Sequence, residues 1–358
     1  MERLTKILEK WYSRNKRDLP WRKTKSAYAI WLSEILLQQT TVNQGIKYYE
    51  NFLARFPDVW QLAKAPLEDV LKAWQGLGYY TRARNLHVTA RIIVQQYNGI
   101  FPADYDALIS LKGIGEYTAA AVASIAFHIP VAVVDGNVYR VLARIYGVKL
   151  PATSSAGKNE IRRLATALLN KKDPGNHNQA LMELGALICL PKNPSCSVCP
   201  VNFVCHAYKK QKIKELPVKT VKTGNRKRYF HYLHISWEDK IFIRQRTQKD
   251  IWHSLFELPL IETRTAVLPE KLFGHKQWKS LFNGSRYNIK YISPVISHQL
   301  THQTLHACFY FLEVTEVSSA LAKEYICIDK EKMQQYPVSR LTEKALKQWC
   351  NYKNIDYH

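Results

Sequence analysis

The segment Leu111-Lys112-Gly113-Ile114-Gly115-Glu116-Tyr117-Thr118-Ala119-Ala120-Ala121-Val122 decides how the first half of the chain is read. Two closely spaced glycines permit a tight turn, and the small residues behind them open a helix. Amides exposed at such a turn, at a helix N-terminus, suit a phosphate without reading base sequence. Around this segment, residues 28–39, 67–74, 82–96, 118–127 and 138–146 carry apolar side chains at helical spacing. Pro57, Pro66, Gly76, Gly78, Gly99, Pro102, Pro130, Pro151, Pro174 and Gly175 punctuate them. Many short helices joined by tight turns predict an all-α domain over residues 1–206.

The whole chain has 358 residues, 46% of them hydrophobic, which is enough for two buried cores. Aromatic residues make up 12% and charged residues 23%, which excludes a disordered or low-complexity chain. No window approaches 18 uncharged apolar residues, and Met1-Glu2-Arg3-Leu4-Thr5-Lys6 lacks the apolar core of a signal peptide. A soluble, cytoplasmic protein is expected, without a membrane partner. Lys and Arg number 52 against 29 acidic residues, a net charge of +23. Such a field favours polyanions, and nucleic acid is the expected partner because each neutralised phosphate releases counterions.

Residues 207–228 hold nine Lys/Arg and one Glu and read as an exposed basic linker. Beyond it the pattern changes. Residues 229–237, 240–246, 287–296 and 304–314 are rich in β-branched and aromatic side chains, with helical patterns at 269–282 and 342–350. Residues 229–358 are therefore expected to form a separate α+β domain.

Three features carry chemistry. Asp135, in Val133-Val134-Asp135-Gly136-Asn137-Val138, precedes a helical pattern and by itself reads as an N-cap. Glu34 lies in Ile30-Trp31-Leu32-Ser33-Glu34-Ile35-Leu36-Leu37-Gln38-Gln39. It either faces solvent from an amphipathic helix or is buried among apolar flanks, which would raise its pKa and keep it protonated as an acid. Cys189, Cys196, Cys199 and Cys205 have the spacing C-x6-C-x2-C-x5-C. Four cysteines so close, in a chain without a secretion signal, indicate a metal centre. Zinc and a [4Fe-4S] cluster both accept four thiolates; the single x2 pair and the prolines Pro191, Pro194 and Pro200 suit a loop around the bulkier cluster.

The cysteine loop, the hairpin and the Asp twenty residues after it together resemble the helix-hairpin-helix/Gly-Pro-Asp superfamily of base-excision DNA glycosylases. The segment 30–41 and Gly76-Leu77-Gly78-Tyr79-Tyr80-Thr81-Arg82 resemble its MutY-type adenine glycosylases. The resemblance implies an all-α glycosylase domain with a [4Fe-4S] loop at 189–205. It implies Glu34 as general acid and then base, Asp135 as stabiliser of the sugar cation, and Tyr117 and Asn137 as the residues orienting Asp135 and the sugar. Gly113 and Gly115 would bind the DNA backbone, Gln39 would act as a wedge, Tyr79 would insert beside the lesion, and Arg22 and Gln179 would line the adenine pocket. The lyase relatives of the endonuclease III type place a lysine two residues after the second hairpin glycine. Tyr117 stands there and cannot form a Schiff base, which implies a monofunctional glycosylase. The alternative is an endonuclease III-like pyrimidine glycosylase with lyase activity.

The resemblance continues into the C-terminal domain, which it identifies as Nudix-like and as the reader of 8-oxoguanine opposite adenine. Leu300, Thr301 and His302 occupy the place of a Phe-Ser-His loop, with Leu300 departing from the pattern. His298, His302 and His306 have a ligand-like spacing, but the region reads as loop and strand and no metal is expected there. The acidic Nudix box is missing, so nucleotide hydrolysis is not expected. The implied partner is double-stranded DNA carrying an 8-oxoguanine:adenine or guanine:adenine mispair, bound by a monomer.

Overall fold

The computed structural model describes residues 2–218 and 224–352. Their contacts divide the chain into two units, Met1–Ala65 with Asn85–Lys222, and Pro66–Arg84 with Thr223–His358. The helices before the sheet are α1 (Glu2–Asn15), α2 (Ala27–Leu37), α3 (Val42–Arg55), α4 (Val59–Lys64), α5 (Leu67–Ala73), α6 (Thr81–Tyr97), α7 (Tyr105–Ser110), α8 (Glu116–Phe127), α9 (Gly136–Tyr146), α10 (Ser155–Leu168), α11 (Pro174–Leu187) and α12 (His206–Lys209). None of the described helices is long and apolar enough to cross a membrane.

In the first unit α8 packs on α2 and on α11, and α11 also packs on α1 and α9. Apart from Ser33 and Glu34, α2 is apolar throughout, and it is buried from Tyr28 to Leu36. It ends at Leu37, two residues short of the periodic stretch, because Gln38 turns to extended backbone and Gln39 adopts φ +59°. Gly113 turns the hairpin at φ +80°, where a Cβ would lie 2.6 Å from that of Asn85. Gly115 then caps α8, whose Ala119–Ala123 are all buried. Small residues there let neighbouring helices approach closely. One such approach is between α11 and the start of α9: a Cβ on Gly185 would lie 2.6 Å from Cβ of Asn137.

In the second unit β1 (Arg226–Trp237) and β7 (Gln303–Val314) pair in parallel, in register from Arg226↔Gln303 to Ser236↔Glu313. Antiparallel partners surround them: β2 (Lys240–Gln245) and β4 (Leu260–Thr263) on β1, β3 (Phe256–Glu257) and β8 (Ile326–Asp329) on β2, and β5 (Tyr287–Ile292) and β6 (Ile296–Gln299) on β7. One sheet face packs on α16 (Arg340–Tyr352) through Leu341, Ala345 and Leu346. The other packs on α13 (Pro269–Phe273), α14 (Lys276–Phe282) and α15 (Ser319–Glu324) through Leu272, Trp278 and Leu321. The expected helix at 269–282 is thus two, broken at Gly274, and the expected strand at 287–296 is also two, broken at Ser293-Pro294.

The structure redraws the expected domain limits in two places. Residues 207–218 are not an exposed linker. Ala207 and Leu216 are buried with Cys205, and Arg144 Nε donates to the Leu216 carbonyl at 2.9 Å. Residues 219–223 of the expected linker lie outside the described residues, and β1 already begins at Arg226. The segment Pro66–Arg84 packs with the sheet unit, although its sequence neighbours are helical. There the Val338 amide donates to Gln75 Oε1, and the Tyr80 hydroxyl to the Val338 carbonyl, both at 3.3 Å. A chain truncated after residue 225 loses these partners. Hydrogen exchange should then show residues 67–84 unprotected while α8, α9 and α11 stay protected; equal protection of 67–84 in both proteins would contradict this packing.

Candidate active site

Glu34, 6% exposed, projects from α2 into a cavity of about 240 Å³. The same cavity is lined by Arg22, Tyr117, Asp135, Asn137, Gln179 and Glu183. Burial dominates the Glu34 carboxyl and the nearby Asp135 adds to it. The hydrogen bond from the Tyr117 hydroxyl and the Arg22 charge oppose them, leaving its pKa pushed up to about 7. The Tyr117 hydroxyl donates to Glu34 Oε2 and is itself held protonated, by burial first and by the two carboxylates.

Asp135 caps α9, so the capping and pocket readings both hold in geometry. Its Oδ1 accepts the Val138 amide and its Oδ2 accepts Nδ2 of Asn137, each at 2.7 Å. Burial raises its pKa, and these bonds counteract the rise. Asn137 is fixed in turn by buried Arg140, which donates to Asn137 Oδ1 and the Gly185 carbonyl at 2.8 Å and to the Cys189 carbonyl at 2.7 Å. One expectation is corrected. Tyr117 hydrogen-bonds Glu34, not Asp135, because α8 packs against α2; Asn137 alone of the two expected side chains holds Asp135.

Arg22 and Gln179 both reach the cavity, but neither stands alone. Arg22 forms a two-pronged pair with buried Glu183 at 2.9 and 2.8 Å, and Arg17 forms a second at 3.0 and 2.7 Å. Burial would raise the Glu183 carboxyl; the two guanidinium groups hold it down at about 2 instead. Gln179 Oε1 accepts the Tyr12 hydroxyl at 3.1 Å. Sequence reasoning missed Arg17 and Glu183, whose partners lie more than 160 residues apart along the chain. A second cavity, of about 680 Å³, shares Tyr117 and Asp135 with the first and is also lined by Gln38, Gly115, Lys158 and Arg162. Tyr117 and Asp135 therefore stand between an inner chamber and a wider outer one that includes Gly115 of the hairpin.

Cys189, Cys196, Cys199 and Cys205 line one further cavity, with apolar walls from Val141, Ile145, Leu184 and Ile188. Among the described residues no three Cys, His, Asp or Glu side chains converge on a single-ion site. All four cysteines line the one cavity, and Arg144 Nη1 donates to Cys189 Sγ at 3.4 Å. Burial raises the Cys196, Cys199 and Cys205 thiols, Cys199 to about 11, so bound cations would be needed to hold these three as thiolates. Arg140 and Arg144 were not singled out beforehand; two arginines one turn apart amid apolar residues of α9 were the available signal.

In the second unit Leu300, Thr301 and His302 form the turn between β6 and β7, where the Leu300 amide donates to the Gln303 carbonyl at 2.8 Å. Tyr79, 49% exposed and at φ +50°, hydrogen-bonds Thr301 Oγ1 through its hydroxyl at 2.6 Å. His306 stacks on Tyr229 and His298 tilts against Trp252, so the histidine repeat does not converge.

The Glu34 geometry fixes a stability profile. Its folded pKa lies above the unfolded value, so folding holds a proton that the unfolded chain releases first. The cost is absent below about pH 4.5 and grows until the pH passes about 7. Glu34→Gln removes that cost, and the variant should gain up to about 3 kcal/mol over the parent at pH 8 but little at pH 4.5. Urea unfolding at the two pH values measures the difference; a gain independent of pH would exclude a protonated, buried Glu34.

Residues 32–170 match the family described as HhH-GPD superfamily base excision DNA repair protein, and residues 231–348 match the NUDIX domain. The adenine DNA glycosylase of Buchnera aphidicola subsp. Schizaphis graminum is 35% identical over 84% of this chain and 85% of its own length. That of Mus musculus is 44% identical over 56% of this chain and 41% of its own. A thermostable thymine-DNA glycosylase structure superposes with a TM-score of 0.53 at 30% identity, covering 58% of this chain and 96% of that one. A non-covalent Endonuclease III–DNA complex does so at 0.52 and 23%, over 60% and 97%, which speaks to the fold alone. With a relative 35% identical over 84% of this chain and 85% of its own length, and with both domain models matched in this chain, the chain belongs to the adenine DNA glycosylase family.

Proposed function

We propose that this protein hydrolyses the N-glycosidic bond of adenine paired with 8-oxoguanine or guanine in double-stranded DNA. The carrying observation is Glu34, buried and titrating near 7, in one cavity with Asp135. Adenine is a poor anionic leaving group and must be protonated as it departs. The adenosine is flipped into the inner chamber. Glu34 gives its proton to N7, the C1′–N9 bond breaks with its electron pair going to the base, and neutral adenine leaves. The cationic sugar is stabilised by the Asp135 carboxylate, whose orientation Asn137 Nδ2 and the Val138 amide maintain. Glu34, now ionised, takes a proton from a water that adds to C1′, which returns the enzyme to its starting state. Tyr117 tunes this cycle by its hydrogen bond to Glu34, and Arg22 and Gln179 face the adenine. The hairpin amides after Gly113 and at Gly115 hold a DNA phosphate. Gln39 acts as a wedge, and Tyr79 inserts beside the 8-oxoguanine that Leu300, Thr301 and His302 read.

The four cysteines would hold a [4Fe-4S] cluster, and their shared apolar cavity beside the Arg144 cation supports that assignment. Bound there, the cluster would tie the 189–205 loop, which supplies all four thiolates, into one fold against the apolar faces of α9 and α11. Iron and sulfide analysis of anaerobically prepared protein tests it; zinc at full occupancy without iron would overturn it.

Glu34→Gln should lose base release by at least about 10²–10⁴-fold while retaining mispair binding. Single-turnover adenine release on an 8-oxoguanine:adenine duplex is the decisive assay, and near-normal release would remove Glu34 from the mechanism. Borohydride trapping separates hydrolysis from lyase chemistry. The parent protein should trap little, whereas Tyr117→Lys places an amine beside the sugar carbon and should trap and nick. Efficient trapping by the parent would point to an amine such as Lys158 of the outer chamber and refute the monofunctional reading.

A further inference from the structure

The second unit holds its own cavity, of about 400 Å³, lined by Tyr79, Trp252, His298, Leu300, Thr301 and Arg340 among others. Its Trp252 wall is built under strain. Trp252 and Ser254 both adopt left-handed backbone, at φ +59° and +69°, although neither is glycine. Residues held in such conformations persist only where their surroundings over-determine them, and they cluster at functional sites. Here the over-determination is visible. Buried Arg246 donates to the Ile251 carbonyl at 3.0 Å and to Asp250 Oδ2 at 3.2 Å. Buried Arg228 donates to the same Asp250 oxygen at 2.6 Å. Arg84 Nη1 donates to the His253 carbonyl at 2.6 Å, and Gln245 Nε2 to that of Ser254 at 3.3 Å. Four side chains thus clamp the five residues Asp250–Ser254. The indole so placed meets Phe230 edge-on, with centroids 6.4 Å apart, and His298 at 5.9 Å.

We propose that Trp252 is a specificity-determining residue: its indole is the flat wall against which the purine opposite the target adenine is held. This rests on the reading of the cavity as the site of that purine. Guanine and 8-oxoguanine have the same π-face and differ at one polar edge. A hydroxyl such as that of Thr301 distinguishes the edges only if the ring is held still beside it. An aromatic wall fixed by the clamped turn does this at little entropic cost, so it converts a contact difference into a preference for the oxidised base. It also supplies the broad apolar surface that Leu300, at the tip of the turn, does not.

The test uses the full-length protein and the ratio of kcat/KM for adenine release opposite 8-oxoguanine to that opposite guanine. Trp252→Phe keeps a π-face, and Trp252→Leu keeps apolar volume without one. The ratio should stay near that of the parent in the Phe variant. It should fall about fivefold or more in the Leu variant, the size of one edge hydrogen bond no longer held in place, while the stack itself is lost for both purines alike. Trp252→Met replaces the Leu variant if the latter does not fold. A folded Leu or Met variant with the parental ratio, or an equal fall in the Phe and Leu variants, overturns the proposal. Thr301→Ala separates the two levels. If it lowers the ratio while Trp252→Leu does not, the cavity reading stands and the wall falls; if neither changes the ratio, the cavity reading itself fails.

Discussion

A carboxyl group buried in an apolar helix must be neutral or paired, and Glu34 is arranged so that neutrality comes easily. Isolated burial of the ionised form would be prohibitive. The Tyr117 hydroxyl supplies a hydrogen bond that favours the charged form, and so pulls the pKa back toward neutrality rather than letting it climb further. The site is therefore balanced between acid and base. The remaining architecture can be read as what maintains that balance: α2 closed on all sides, α8 packed on it through small residues, and Asp135 near enough to add its field.

The Arg17–Glu183–Arg22 cluster shows a different solution to the same problem. Glu183 is as buried as Glu34, but two guanidinium groups meet both of its oxygens and fix it as an anion. Two glutamates lining one chamber thus differ in protonation through the partners that meet them. That contrast lets one wall carry a movable proton while the other presents fixed charge.

Local features of the site were legible in sequence, and partnerships across helices were not. The apolar flanks of Glu34 indicate its burial, the Asp135-Gly136-Asn137-Val138 run indicates a cap, and the cysteine spacing indicates a shared centre. Which helix lies over Tyr117 depends on how α8 packs, so its partner was misassigned to Asp135. Arg22 and Glu183 lie far apart in sequence, and no pattern along the chain connects them. The segment 67–74 shows helical periodicity whichever core it joins, and periodicity alone could not assign it to the sheet unit. In the second unit the strands were visible from β-branched and aromatic runs. The breaks at Gly274 and Ser293-Pro294 fell within those runs because the apolar pattern continues across them.

Gly185 carries a consequence for inheritance. In a helix interior, glycine costs about 1 kcal/mol relative to alanine, so Gly→Ala there is ordinarily the gentlest of exchanges. In α11 the added methyl would lie 2.6 Å from Asn137 and meet the side chain that holds Asp135. The helix keeps a residue that weakens it so that a neighbouring amide can stay in place. A missense allele at this codon would look conservative on paper and touch neither DNA nor any proton-transferring group. It would nevertheless displace Asn137 and loosen the hold on Asp135.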